Sequence, residues 1–287
     1  MKMASLFILY NPGESELDKI KGYCRKFDTV EWIIIDNSKE KTDFFDNVIG
    51  CNYIHNKNKG GIAGAIARGI ENTSDNISYV FTFDQDSVVP DIYFNSMEAF
   101  ILDKKAKIVC SNFIDVNSNT YAKFVHLKKF GYDVVNDSDF TTFAISSGMG
   151  ISKDFWDEIS GVNENYIIDH VDTEICLKAY VRNEVIYINY EICLEHAIGD
   201  RRVFKFMGVT LKPNNHNYIR KYYIVRNGTH LSWKYFFKSP GYFYLNVLRI
   251  IHEVLCTVLY EEDKARKIKY MMLGFFHSCI GKLGSIK

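Results

Sequence analysis

Short continuous apolar runs alternate with segments of helical spacing through the first half of the chain. Residues 6–10 predict a first strand, closed by Asn11-Pro12-Gly13, and residues 14–27 a helix with Leu17, Ile20, Tyr23 and Cys24 on one face. Residues 32–35 predict a second strand ending in Asp36-Asn37-Ser38, and residues 51–54 a short third. A small-residue helix follows over 60–71, then a fourth strand over 79–83. Continuous apolar strands separated by helices predict a parallel sheet covered on both faces, an α/β fold. Beyond residue 92 the order loosens: a helix over 92–102, a strand over 107–111, and a loop-rich stretch over 112–140. Residues 144–148 predict a strand running into a small-residue turn, and residues 156–162 a short helix closing at Gly161. A helix over 172–181, with Ile175, Leu177 and Tyr180 inward, precedes a strand over 185–190. After Gly199 basic and aromatic residues mix, with helical periodicity over 218–237 and 242–260. The pattern divides the chain into an α/β domain over 1–215 and a helical, basic-aromatic region over 216–287.

Polar residues close three of the strands: Tyr10-Asn11, Asp36-Asn37 and Asp84-Gln85-Asp86. In a parallel sheet these ends share one edge, where α/β proteins carry ligands. Asp84 and Asp86 are two apart, so in extended chain both carboxylates point the same way and repel unless a divalent cation or water separates them. A polar strand end before the Pro90-Asp91 turn is the plainer alternative. The helix start at Gly60-Gly61 suits either an anionic phosphate or close packing on a neighbour. It lacks the Gly-Lys-Ser/Thr of a Walker loop, and no Gly-x-Gly-x-x-Gly follows the first strand. Asp169-His170-Val171-Asp172-Thr173-Glu174 gathers acids at another helix start. Capping explains one or two of them and leaves a general base among the rest. His196 follows a strand in a polar stretch, either a ligand or a structural histidine.

Composition narrows the picture. Lys+Arg and Asp+Glu both number 35, so no polyanion-binding signature is present and no nucleic-acid partner is expected. Aromatic residues reach 15%, with 19 Tyr and 21 Phe, more than a core needs, which points to stacking or interfacial roles. Seven scattered cysteines without a Cys-x-x-Cys pair predict reduced, buried thiols in a cytoplasmic protein. The N-terminus runs straight into a strand, unlike a signal peptide. No uncharged apolar run of about 18 residues predicts a transmembrane helix.

Tyr10-Asn11-Pro12, Asp36-Asn37-Ser38, Asn58-x-Gly60-Gly61-x-Ala63-x-Ala65, Asp84-Gln85-Asp86-Ser87, Ser147-Gly148 and the stretch from Asp169 to Leu177 together resemble the inverting family 2 glycosyltransferases. Their phrasing is closest to the bacterial rhamnosyltransferases. His196-Ala-Ile-Gly-Asp200 and Tyr222-Tyr223-x-x-Arg226-Asn227 extend the resemblance, which covers roughly residues 4 to 230. It implies a GT-A fold, a nucleotide-sugar donor (dTDP-L-rhamnose foremost) and Mg²⁺ or Mn²⁺. The implied acceptor is a glycan or an undecaprenyl-diphosphate-linked oligosaccharide of bacterial surface polysaccharide. Carried over, Asp86 and Asp84 hold the metal with His196, and Asp172 is the base. Val171 stands where the family often has a second acid, so Asp169 or Glu174 competes for that role. Tyr10, Asn11, Asp36, Asn58, Gly61 and Arg68 surround the nucleotide, with Asp84 and Gln85, and Ser147 and Gly148 border the sugar.

The rivals are a UDP-sugar (galactofuranosyl, galactosyl or glucosyl) transferase of the same fold, and a non-catalytic nucleotide-binding or scaffold protein. A nucleotidyltransferase would need a basic, Gly-rich loop after the first strand, and Asn11-Pro12-Gly13-Glu14 is not one. The basic-aromatic tail suits either an anionic membrane surface at the inner face of the plasma membrane or a helical subdomain or homodimer interface.

Overall fold

The computed structural model describes residues 1–286 apart from 117, 118, 137, 197–202 and 207. The first half follows the predicted alternation: β1 (Met3–Leu9), α1 (Glu14–Lys26), β2 (Glu31–Asp36), β3 (Cys51–His55), α2 (Gly61–Glu71), β4 (Tyr79–Asp84), α3 (Tyr93–Lys104) and β5 (Ile108–Asp115). The stretch expected to be loop-rich holds short strands instead: β6 (Thr120–Tyr121), β7 (Phe124–Leu127), β8 (Tyr132–Val135) and β9 (Phe140–Thr141). They are short and partly exposed, so their pattern is too brief to separate from loop, and pairing decides them. Next come β10 (Met149–Ser152), α4 (Lys153–Glu158), a 3₁₀ turn (Glu164–Tyr166), α5 (Val171–Tyr180) and β11 (Ile186–His196). A small hairpin of β12 (Phe204–Phe206) and β13 (Val209–Leu211) leads to α6 (Tyr218–Lys234), α7 (Pro240–Tyr260) and α8 (Lys264–Cys279).

The main sheet runs β3-β2-β1-β4-β10-β5-β11-β9, with β6 on β5. β3, β2, β1 and β4 are parallel, as are β5 and β11, while β10 lies antiparallel between β4 and β5. The expected strand over 144–148 is therefore displaced: residues 146–148 form the turn, and the strand follows it. Gly150 hid this strand from the pattern, and it is glycine because an added Cβ would lie 2.4 Å from the Phe81 ring.

Strand side chains alternate between two cores. Leu6, Ile8, Ile33 and Ile35 face α2, α5 and the C-terminal helices. Phe7, Leu9, Trp32 and Ile34 face α1 and α3. The second core absorbs much of the aromatic surplus. Phe7 stacks on Phe83 with centroids 5.1 Å apart, and Phe83 meets Tyr93 edge-on at 5.1 Å. Such a ring is worth about 3–5 kcal/mol against truncation to alanine. Leu231 and Tyr235 of α6 and Tyr242 and Leu245 of α7 lie in the first core. Charge also joins the helices: buried Lys221 bonds Glu253 at 2.7 Å and Glu261 at 2.8 Å, and Lys267 bonds Glu261 at 3.1 Å. α7, 21 residues with mean hydropathy 1.3, is long and apolar enough by composition to cross a membrane, although Arg249 and Glu253 interrupt it. The expectation of no such helix is corrected to that extent.

Candidate active site

The carboxyl ends of β1, β2 and β4 lie side by side, because Leu9 pairs with Asp36 and Ile8 with Asp84. Asp84 closes β4, and the chain turns at once, with the Ser87 amide donating to the Asp84 carbonyl at 3.0 Å. The two acids thus flank a turn rather than sharing a strand face. The Asp86 carboxylate is exposed and bonds no described residue, whereas its carbonyl accepts from Lys19 Nζ at 2.9 Å. Gln85 faces inward to the β1 loop. Its Oε1 accepts from the Tyr10 amide at 2.7 Å, and its Nε2 donates to Glu16. The Tyr10 ring is left 59% exposed beside this turn.

Asp36 is 1% exposed, and both oxygens are engaged: Oδ1 by the Ser38 amide at 2.8 Å and Oδ2 by the Tyr53 hydroxyl at 2.7 Å. Burial, and then that bond, push the Tyr53 hydroxyl well above the usual range. Asp36 therefore shapes the loop, and Ser38 Oγ in turn accepts from the Asn11 amide at 2.7 Å. Asn37 is the member that sequence reasoning passed over: it donates to the Gly61 carbonyl at 3.0 Å and accepts from Asn56 at 2.7 Å, tying β2 to the α2 start. Its signal was burial, 3% exposed, which the sequence does not print.

Asn58 is exposed, with φ 55°, in the turn before α2. The helix start behind it is a packing device. The Ile62 and Ala63 amides donate to the Ile167 carbonyl at 2.6 and 3.3 Å, and a Cβ on Gly61 would meet that oxygen at 2.3 Å. Gly61 is thereby turned toward Ile167, not toward a phosphate. Arg68 sits in the last turn of α2, about 10 Å along the helix from Gly61 and away from the carboxyl edge.

One turn joins the β4 end to the acid cluster. Thr82 Oγ1 donates to the Ser146 carbonyl, Ser87 Oγ lies 2.7 Å from Ser147 Oγ, and the Gly148 amide donates to the Thr82 carbonyl at 2.8 Å. Gly148 has φ 75°, and a Cβ there would lie 2.4 Å from Leu194 and 2.6 Å from Ser111 Oγ. The Ser146 amide faces the Asp172 carboxylate and favours its charged form. Asp172 Oδ1 also accepts from the Thr173 amide at 2.6 Å. Burial pushes the Asp172 carboxyl above its ordinary range, opposed by the Thr173 amide and by Arg249. Of the competing acids, Glu174 is fully buried and committed, accepting from the Asn163 amide at 2.7 Å and Lys234 Nζ at 2.9 Å. Asp169, raised by burial to about 6, pairs with Arg220 at 3.2 Å. His170 is pushed down to about 3 by burial and then by Arg249, so it is neutral at physiological pH.

His196 ends β11 with its backbone in register with Asp115, at the same sheet edge but three strands from β4; its side chain lies outside the described residues. Among the described residues no group of three or more His, Cys, Asp or Glu could hold a metal ion. Asp84 and exposed Asp86 provide hard oxygen donors suited to Mg²⁺ or Mn²⁺, with coordination left for a diphosphate. Beside the acid cluster a cavity of about 660 Å³ opens between α6, α7 and β8, lined by His170, Tyr132, Asn246, Arg249 and apolar residues of α7.

A mainly parallel sheet with one reversed strand beside β4, acids at the β4 turn and another opening α5 define a sugar-transferring enzyme of GT-A fold. The chain belongs to glycosyl transferase family 2, whose model matches residues 16–159. It is 24% identical over 284 residues to the dTDP-rhamnosyl transferase RfbF of Shigella flexneri, covering 93% of this chain and 90% of that one. In fold it is similar to the crystal structure of S. aureus TarS 1-349, with TM-score 0.53, 12% identity and coverage of 98% of this chain and 72% of that one. The same TarS piece in complex with UDP-GlcNAc gives TM-score 0.54, 12% identity and coverage of 98% and 73%. Asp172 and the helices after it lie beyond the matched family segment, whereas the likeness to RfbF covers 93% of the chain.

Proposed function

We propose that the protein is an inverting rhamnosyltransferase that moves L-rhamnose from dTDP to a hydroxyl of a glycan or undecaprenyl-diphosphate-linked oligosaccharide in bacterial surface polysaccharide synthesis. The observation that carries the chemistry is the Ser146–Gly148 turn, which bonds the β4 end on one side and faces Asp172 on the other. Leaving group and base then flank a single reaction centre. The donor choice is supported by the likeness to RfbF across nearly the whole chain.

Tyr10, Asn11 and Asn58 line the nucleoside side, with Asp36 holding their loops. Ser147 and Gly148 border the sugar. Asp84 and Asp86 would hold Mg²⁺ or Mn²⁺, with His196 as a further ligand; bound there, the ion supplies charge neutralisation for the departing diphosphate. The acceptor enters by the cavity beside His170 and Arg249. Asp172 takes the acceptor hydroxyl proton as that oxygen bonds the anomeric carbon and the carbon–diphosphate bond breaks on the opposite face. One displacement inverts the anomeric configuration.

A thermal-shift panel of dTDP, UDP and GDP, with and without Mn²⁺, tests the donor. Stabilisation grows with ligand concentration over Kd, so dTDP with Mn²⁺ should give the largest shift. A larger shift with UDP would replace the donor, and equal shifts without Mn²⁺ would remove the metal.

Contact with the inner face of the plasma membrane is part of this reading. Val247, Ile251, Leu255 and Val258 form an exposed apolar stripe on α7, and Met272, Phe275 and Phe276 are exposed on α8, with Ile280 just past its end, beside Lys264 and Lys269. Apolar side chains flanked by cations suit anionic lipid. The protein should float with liposomes rich in phosphatidylglycerol, and Phe275→Ser/Phe276→Ser should abolish flotation. A wild-type chain that stays at the bottom and sediments as a dimer would assign the face to a second copy instead.

A further inference from the structure

The loop that presents Asp172 is bent in a way its own residues do not favour. Ile167 has φ 64° and ψ −67°, and the Ile168 amide donates to the Tyr166 carbonyl at 2.7 Å, closing a γ-turn of the rarer, strained hand. Asp169 and His170 follow at φ 61°, also left-handed. A β-branched residue at positive φ is an outlier that persists only when its surroundings over-determine it. These surroundings come from the helical region. Asn227 of α6 is fully buried, and its Nδ2 donates to the carbonyls of Tyr166, Ile168 and Asp169 at 2.8, 2.9 and 3.1 Å. Its Oδ1 accepts from Arg226 Nε at 2.9 Å. Arg226 is itself fully buried without a carboxylate partner in the described residues. Its Nη2 donates to the Asn165 carbonyl at 2.9 Å and its Nη1 to that of Gly284, and its guanidinium lies 4.8 Å from the Tyr223 ring centre. Gly228 lets α6 approach, since a Cβ there would stand 2.9 Å from His170 Nε2.

We infer that Asn227, with Arg226 fixing its amide, is a positioning residue for Asp172: it holds the strained 166–170 backbone so that α5 begins with its acid toward the Ser146 turn. A buried Asn that spends both amide hydrogens on the carbonyls of one bent loop defines a conformation more than it fills space. The inference rests on the reading of Asp172 as the base. A displacement of about 1 Å at a reacting group can cost on the order of 10²-fold in rate.

The test is kinetic. Asn227→Ala should lower kcat on the order of 10²-fold and leave the affinity for dTDP within about twofold, because Asn227 touches neither β1, β2 nor the β4 turn. In an Asp172→Asn background the same change should lower residual turnover by no more than about twofold, since the group it positions is already gone. If Asn227→Ala does not fold, Asn227→Ser, which keeps one donor, carries the same measurements. An Asn227 variant with wild-type kcat while Asp172→Asn is inactive overturns the inference, as does an equal loss in both backgrounds. Wild-type turnover by Asp172→Asn overturns the base assignment and this inference with it.

Discussion

Asp172, Asp169 and Glu174 lie within six positions of one another, and their surroundings give them different chemistry. Glu174 is tied to Lys234 and to a backbone amide, and Asp169 to Arg220, which leaves Asp172 half-buried and turned toward the Ser146 turn. Asp172→Asn should lower kcat on the order of 10²–10⁴-fold with dTDP binding retained, measured by transfer assay beside calorimetric titration. The pH dependence follows from the sign of the shift. Burial raises the Asp172 pKa, a base works only when deprotonated, and so kcat should fall with decreasing pH along a limb lying above the ordinary carboxylate value of about 4. His170, pushed down to about 3, remains neutral over that range and cannot produce the limb. A kcat profile flat down to pH 4 would be inconsistent with this base. The Asp-x-Asp pair, the acid cluster and Tyr10 were legible as residue types. The inward roles of Gln85, Asp36 and Gly61 were not, because the hydrogen bonds to Tyr10 and Tyr53 and the close approach of Gly61 to the Ile167 carbonyl join positions apart in sequence.

At the level of elements, α2 shows how a helix start can read as a ligand site and be a packing joint. Its free amides are the usual attraction for an anion, and here the Ile167 carbonyl takes two of them. Gly61→Ala would bring a Cβ to 2.3 Å from that oxygen at φ 59°. It should therefore destabilise the protein by about 2–4 kcal/mol in urea unfolding, with an unchanged m-value; a loss below about 1 kcal/mol would mean the joint yields easily. β1, β2 and β4 were legible because burial on both faces makes each a continuous apolar run, and α1 because its single buried face sets a helical period. β10 and the short strands from β6 to β9 were not, since β10 is held between β4 and β5 and each of the others by a single neighbour, rather than by its own pattern.

For the whole molecule, the helical region completes the core that carries the site. Leu231, Tyr235, Tyr242 and Leu245 share one buried cluster with β1, β2, α2 and α5, and truncating such a residue costs about 2–5 kcal/mol. Total stability is commonly about 5–15 kcal/mol. A chain ending at residue 215 should therefore lack a cooperative thermal transition and bind no nucleotide. A cooperative transition in that fragment would show that residues 1–215 fold as an independent domain. The sequence by itself determined the α/β alternation, the shared carboxyl edge with its acids and the helical tail. Those follow from local periodicity and residue type, which need no partner to be read. Only the tertiary structure decided which acids are spent on structure, where the reversed strand inserts and how α6 grips the loop before Asp172. Those depend on contacts between segments about 40 to 70 positions apart, whose strength lies in burial and geometry rather than in any local pattern.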